Sequence, residues 1–266
     1  MRARSAAYKL PHPSLPRIPD SLYAVRVTCT LNRPYPLLTL CAALALTACG
    51  SINSTPAGPD QNESRSLDLD KSEKVRAELK MGAGELDVSG GAPKLLNADF
   101  TYNVPSFKPG LRYTSSAGTG DLILEQPGSS TSNGNTKNHW DLHFNDTVPL
   151  DLNVEFGAGE ARLNLGSLSL RGLNVQMGAG TLRLDLRGTP AKDYSARIRG
   201  GVGEATIYLP ASVGISASAT GGLGEVVVTG LRKEGNLYVN DANQTAKVKI
   251  RLDIQGGVGS IKLIAE

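Results

Sequence analysis

Five acidic side chains stand directly after a Gly-x-Gly step: Glu85, Asp121, Glu160, Glu204 and Glu225. Stacked at strand spacing, about 4.8 Å, such carboxylates repel unless a cation or basic neighbours intervene. One chemistry for that row is a weak divalent-cation ladder. The expectation is instead a solvated strand edge, screened by Arg162 and Arg183 and discouraging edge pairing. A second cluster, His139-Trp140-Asp141-Leu142-His143, puts two imidazoles and a carboxylate on one strand face. Zinc wants three or four ligands, and no further His or Cys follows Cys49, so His139, Asp141 and His143 would have to supply a three-ligand site by themselves; the expectation is instead an exposed face with no metal. Trp140, Leu142 and Phe144 belong to the opposite, core-facing side.

The glycine step itself invites a phosphate-loop reading. A dinucleotide fingerprint needs a third glycine three residues on, followed by a helix. Asp87, Ile123, Arg162, Arg183, Thr206, Val227 and Lys262 occupy those positions inside strand-like patterns. A calcium-binding nonapeptide repeat would put aspartate where Ala205, Val226 and Ile261 stand. No Gly-x-Ser-x-Gly nucleophile elbow is present. The expectation is therefore a non-enzymatic chain with no cofactor. The competing readings are a metal- or glycan-processing enzyme, which needs the carboxylates to converge, and a regulatory partner in an envelope-stress response.

The elements that must position these residues are set by a repeat. Gly-x-Gly occurs at Gly82/Gly84, Gly118/Gly120, Gly157/Gly159, Gly178/Gly180, Gly201/Gly203, Gly222/Gly224 and Gly257/Gly259. Intervals of 36, 39, 21, 23, 21 and 35 residues separate them, so the middle of the chain repeats about every 21. Apolar residues alternate after each step, as in Leu182, Leu184 and Leu186, and before several, as in Leu150, Leu152, Val154 and Phe156. Period 2 buries one face of a strand, and helical spacing is absent. The pattern predicts an all-β fold. Each ~21-residue unit would be two strands with glycine turns, stacked as a β-solenoid or β-prism because one rung cannot bury its own apolar face. An antiparallel β-sandwich is the alternative.

Composition narrows the partners. The formal charge is +3, but the first 48 residues hold six basic side chains and one acid, leaving 22 basic and 24 acidic residues from Cys49 onward. A nearly neutral chain lacks the basic patch that nucleic acid requires. Its three cysteines, Cys29, Cys41 and Cys49, all precede the repeat, so no disulfide framework is indicated.

Leu37 to Ala48 is a twelve-residue apolar run behind Arg26 and Arg33. A bilayer-spanning helix needs roughly 20 apolar residues, so this reads as a signal-peptide core. It ends in Leu46-Thr47-Ala48-Cys49, which looks like a bacterial lipobox with Cys49 as the acylated residue. Several acyl chains on one cysteine anchor stably where a single chain is marginal. The expected organisation is a leader and signal peptide over 1–48, with translation starting near Val25 or Val27. An acylated cysteine and flexible tether follow over 49–68, then an N-terminal part over 69–130 and a repetitive part over 131–266. The expected location is the extracytoplasmic side of the cell envelope, held to the membrane by lipid.

Lys74 to Ala92 (KVRAELKMGAGELDVSGGA) and Ala98 to Asn103 resemble the N-terminal part of the bacterial toast-rack domain. Trp140-Asp141-Leu142, Val148 to Leu152 and Phe156 to Ala161 continue that resemblance. Leu209-Pro210, Val213-Gly214-Ile215 and Gly222-Leu223-Gly224 look like the C-terminal domain of cell-wall-active antibiotic response proteins and related proteins classed as adhesins. The resemblance implies a solenoid-like envelope domain and brings no catalytic residues. It fits a binding or scaffold module for an envelope protein or polysaccharide. Its contacts are expected at the insertions that break the rhythm, Gln126 to Lys137 and Leu231 to Gln244.

Overall fold

A computed structural model describes residues 57–127 and 135–266. Cys49, its lipobox, the leader and the start of the tether lie outside the described residues, as does 128–134.

The period-2 alternation yields thirteen strands and, among the described residues, only two single 3-10 turns. The strands are β1 (Gln61–Leu67), β2 (Lys74–Ser89), β3 (Leu96–Tyr102), β4 (Gly110–Ser116), β5 (Thr119–Glu125) and β6 (Asn138–Phe144). They continue as β7 (Leu150–Asn164), β8 (Leu170–Asp185), β9 (Tyr194–Leu209) and β10 (Gly214–Thr229). β11 (Arg232–Glu234), β12 (Leu237–Val239) and β13 (Lys249–Ala265) complete the set. They form one open, mixed sheet in the order β1-β3-β6-β2-β7-β8-β9-β13-β10-β12-β11, with β4 and β5 branching from β2.

Its centre is a stack of six long strands, β2-β7-β8-β9-β13-β10, all paired in parallel. That rules out the antiparallel sandwich. The glycine steps also fall differently from the expectation. Rather than turning the chain between separate strands, they lie inside these long strands, and the ladder runs on through them. The burial pattern shows what they do there. In β8, Leu173, Val175 and Met177 are buried before the step and Leu182 and Leu184 after it, so the inward positions change from odd to even. The strand bends at the glycines into two arms, both of which keep their apolar side on the shared core.

Only glycine fits that bend. At Gly159 and Gly180, φ is 127° and 123°. A Cβ at Gly180 would lie 1.9 Å from the Gly159 carbonyl oxygen, and one at Gly159 would lie 2.0 Å from that of Gly84. Bends stack so closely that each needs the same bare backbone in its neighbour. The pair Gly118/Gly120 is different in kind: Ala117 (φ 49°) and Gly118 (φ 74°) make the two-residue turn of the β4–β5 hairpin.

Two further expectations change, and the strand order adds a finding of its own. Residues 61–67 of the expected tether are β1, drawn into antiparallel pairing with β3. Its weak apolar pattern is offset by contacts with β3: Arg65, paired with Glu63 within the strand at 2.7 Å, lies 5.8 Å from the centre of the Phe100 ring, and Thr101 Oγ1 donates to Asn62 Oδ1 at 2.8 Å. The boundary at 130/131 does not part the fold, because β2 pairs with β7 along its length and Ile52–Glu266 is one compact unit. Finally, β13 inserts between β9 and β10, so the last strand is internal and β10 ends the stack.

Candidate functional site

The acidic row comes together only in part. Following the register across the stack gives Glu85, Glu160, Thr181, Glu204, Ser260 and Glu225. Only Glu85 and Glu160 are adjacent, and Arg162 serves both, at 4.0 Å and 2.7 Å. The same guanidinium reaches Asp87 at 3.4 Å. Partial desolvation works against the Arg162 charge, but Asp87 and then Glu160 outweigh it and raise its pKa. Glu160, Glu204 and Glu225 do not converge. Asp121 sits apart on β5, beside Arg76 at 3.6 Å.

The histidines share a face with Asp141, yet they are four residues apart on an extended strand, about 13 Å at 3.3 Å per residue. They cannot bind one ion. His139 faces Glu85 at 3.5 Å and Asp87 at 3.7 Å, across from Arg162. His143 Nε2 lies 3.2 Å from Asp141, and its Nδ1 shares a 2.8 Å hydrogen bond with Ser89 Oγ. Among the described residues, no three metal-ligating side chains are placed to hold an ion. Trp140, with no exposure, is core, its ring edge-on to Phe100 at 5.7 Å.

A broad concavity lies elsewhere, on the outward face of the first arms. It is a shallow trough of about 900 Å³ crossing β5, β2, β7, β8, β9 and β13. The polar halves of the alternations line it in rows: Arg76, Asp151, Asn153, Asn174, Arg197 and Asp253. Asn174 Nδ2 donates to Asn153 Oδ1 at 2.5 Å, Arg171 meets Asp151 at 3.4 Å, and Arg197 meets Asp253 at 3.7 Å. Gly172 lowers the floor, since a side chain there would approach Asp151 Oδ1 at 3.3 Å. Donors and acceptors alternate from strand to strand. Such a surface can hydrogen-bond a long, uncharged or mixed-charge ligand, and its carboxylates are occupied by guanidinium groups or, at Glu78, by the Lys80 ammonium at 3.0 Å. Sequence reasoning passed these residues over as the solvated half of each strand. Writing the polar half of every alternation in register would have found them.

The expected contact insertions have structural work. Gln126 Oε1 accepts from the Gly82 N–H at 3.0 Å. Leu231 to Gln244 folds as the β11–β12 hairpin and a 3-10 turn against β10. Asn240, buried, accepts from the Ile215 N–H at 2.9 Å and donates to the Val213 carbonyl at 2.7 Å.

Comparison with known proteins places this architecture. Residues 56–208 match the family described as the N-terminal domain of toast_rack, DUF2154. No curated protein matches the chain. The crystal structure of a candidate cell-adhesion protein from Clostridium sporogenes is similar over 78% of this chain and 100% of its own, at 33% identity and a TM-score of 0.76. A candidate adhesin from Bacteroides fragilis aligns over 78% of this chain and 98% of its own, at 12% identity and a TM-score of 0.31, too loose a likeness to carry argument. By the extent of the family match and the identity to the Clostridium protein, the chain belongs to the toast-rack family.

Proposed function

We propose that this chain is a cell-envelope lipoprotein, exported by its leader and held to the membrane through acylated Cys49. Its β domain binds a ligand or scaffolds a partner and does not transform a substrate. In this reading the ~21-residue units are solenoid rungs and the Gly-x-Gly steps of the six long strands are corners. The binding face is the trough on the first arms, and its ligand is an envelope polysaccharide or peptidoglycan strand. One observation carries it: hydrogen-bonding side chains recur at every rung, about 4.8 Å apart, along a face built from rigid strands. Loss-free presentation of repeated donors and acceptors suits a polymer, because little side-chain order is left to lose on binding. The description of the Clostridium protein as a cell-adhesion molecule supports a binding role.

Two measurements test the reading. Metabolic labelling with a fatty-acid analogue should mark the wild-type chain and leave Cys49→Ala unlabelled and released from membranes. Co-sedimentation with isolated cell-wall polymer should weaken about tenfold in Asn174→Ala/Arg197→Ala, the loss of roughly one to two hydrogen bonds. A labelled chain whose polymer binding ignores the double variant would leave the anchor and remove the trough.

A further inference from the structure

Among the described residues, the second arm of β10, Glu225–Thr229, is open along one edge. On one side it pairs with β13 over its whole length. On the other, β10 meets β12 only at Ser216 and Ala217, so the β11–β12 hairpin covers the first arm and stops there. The core is uncovered at the same place. Val226 and Val228 continue the inward rows of Ile261 and Leu263, which are 5% and 0% exposed, yet both valines are only half-buried. Outward, Leu223 is 74% and Val227 37% exposed, and Val258 and Val202 extend the apolar surface on the next two strands. Among the described residues, four of the six large exposed hydrophobic side chains therefore gather at one end. Clusters of this kind mark association surfaces.

We propose that this edge pairs with the same edge of a second copy, antiparallel about Val227, to give a two-fold dimer with a continuous sheet. The sequence fits itself in that register. Val227 lies opposite Val227, the inward Val226 opposite the inward Val228, and Glu225 opposite Thr229. Each half-buried valine gains the apolar neighbour it lacks. A parallel arrangement in register would instead set Glu225 against Glu225, which is destabilising. Head-to-tail growth has no matching surface among the described residues. The outer edges of β1, β4 and β11 carry Glu63 and Arg65, Arg112, and Arg232 to Glu234, the charged edges that resist pairing. A two-fold contact consumes both open edges and closes at two copies.

The test uses Ile52–Glu266, which contains the whole core and no cysteine. Sedimentation equilibrium should give a dimer. Val227→Cys should form a disulfide-linked dimer on mild oxidation, since facing residues of an antiparallel pair lie within disulfide reach. Lys262→Cys, in the same outward row one strand inside, should not, because its counterpart would be about 14 Å away across three strand spacings. Val227→Lys, on an exposed position, should keep the circular dichroism spectrum and weaken dimerisation tenfold or more. A monomer at every concentration up to about 0.1 mM, equal crosslinking by Lys262→Cys, or a Val227→Lys dimer of unchanged affinity would each overturn the proposal. So would chains longer than two.

Discussion

β2 and β10 carry the same Gly-x-Gly step and stand at opposite ends of the six-strand stack, but among the described residues only the β2 step is covered. There Gln126 Oε1 accepts from the Gly82 N–H, while Asn138 Nδ2 donates to the Ala83 carbonyl at 2.7 Å and to Gln126 at 2.9 Å. Side chains supply there what a neighbouring strand supplies at β7, β8, β9 and β13. The inward position before the step differs as well: Met81, Phe156 and Met177 fill it in the first three strands, and Gly200, Gly256 and Gly221 leave it bare in the last three. Bent backbone repeats because glycine stacks on glycine. Filling and closure do not repeat, and they have to be provided residue by residue.

One glycine substitution at equivalent positions should separate an inner strand from β10 most strongly. Gly180→Ala puts a Cβ 1.9 Å from the Gly159 oxygen at a φ of 123°, between strands that cannot move apart. A loss of about 3–5 kcal/mol is expected from strain and overpacking together. Gly224→Ala meets the Gly259 oxygen just as closely, but on the end strand, which can separate locally. Its cost should be about 1–2 kcal/mol by the same account. Urea melts of both variants decide it, and equal losses would mean that β10 is held as firmly as β8.

Truncating the inward row probes the same contrast by packing. Leu184, with no exposure, should cost about 3 kcal/mol as Leu184→Ala through lost transfer energy and the cavity left behind. Val228→Ala removes half-covered atoms and should cost about 1 kcal/mol. Should the dimer form, the Val228→Ala loss ought to rise with protein concentration, because that side chain is then buried by a second copy.

How much of this was legible in the sequence follows from what repeats. The alternation around Leu150, Leu152 and Val154 and the recurrence of Gly-x-Gly specified an all-β fold and its inward rows, since both are local consequences of strand geometry. Strand order was not local. Nothing in Lys249 to Ala265 announces that β13 enters between β9 and β10, and that insertion puts Ser260 between Glu204 and Glu225 and breaks up the acidic row. β1 was hidden for a related reason: its pairing with β3 gives Gln61 to Leu67 a structure that its own polar pattern does not ask for. Of the site, the polar rows of the trough were present as the discarded half of each alternation.

The bare inward positions should respond to filling with the opposite sign. Gly200 has no atom within 4 Å of where a Cβ would stand, and it lies beside a cavity of about 30 Å³ bordered by Met177, Ile198 and Ile254. Gly200→Ala should stabilise by about 0.5–1 kcal/mol, by restricting the unfolded chain and adding contacts. At Gly256 the same change meets Ile261 Cδ1 at 2.9 Å, the end of a flexible side chain, so the gain there should be smaller. Thermal melts of the two variants order them, and destabilisation by Gly200→Ala would mean that the cavity is needed.

The smallest expected effect separates the ends by pH. Asp70, in the loop before β2, has its pKa lowered from 3.8 to about 2. The Ser72 N–H, 2.9 Å from Oδ1, is the chief cause; desolvation opposes it, and the Ser72 and Tyr113 hydroxyls add to it, Tyr113 at 2.9 Å from Oδ2. A carboxylate depressed in the folded state contributes stability above its unfolded pKa and loses it as pH falls through the folded value. The window is therefore pH 4 down to 2. Tyr113 lies on β4, so acid should loosen the β4–β5 hairpin and leave β10 unaffected. Amide exchange at pH 4.5 and 2.5 should show faster exchange across Gly110–Glu125, in excess of the intrinsic change. Asp70→Asn, which keeps an acceptor but no titration, should remove that difference. Equal acceleration in β10 would mean that acid acts on the whole sheet and that the two ends do not differ in this respect.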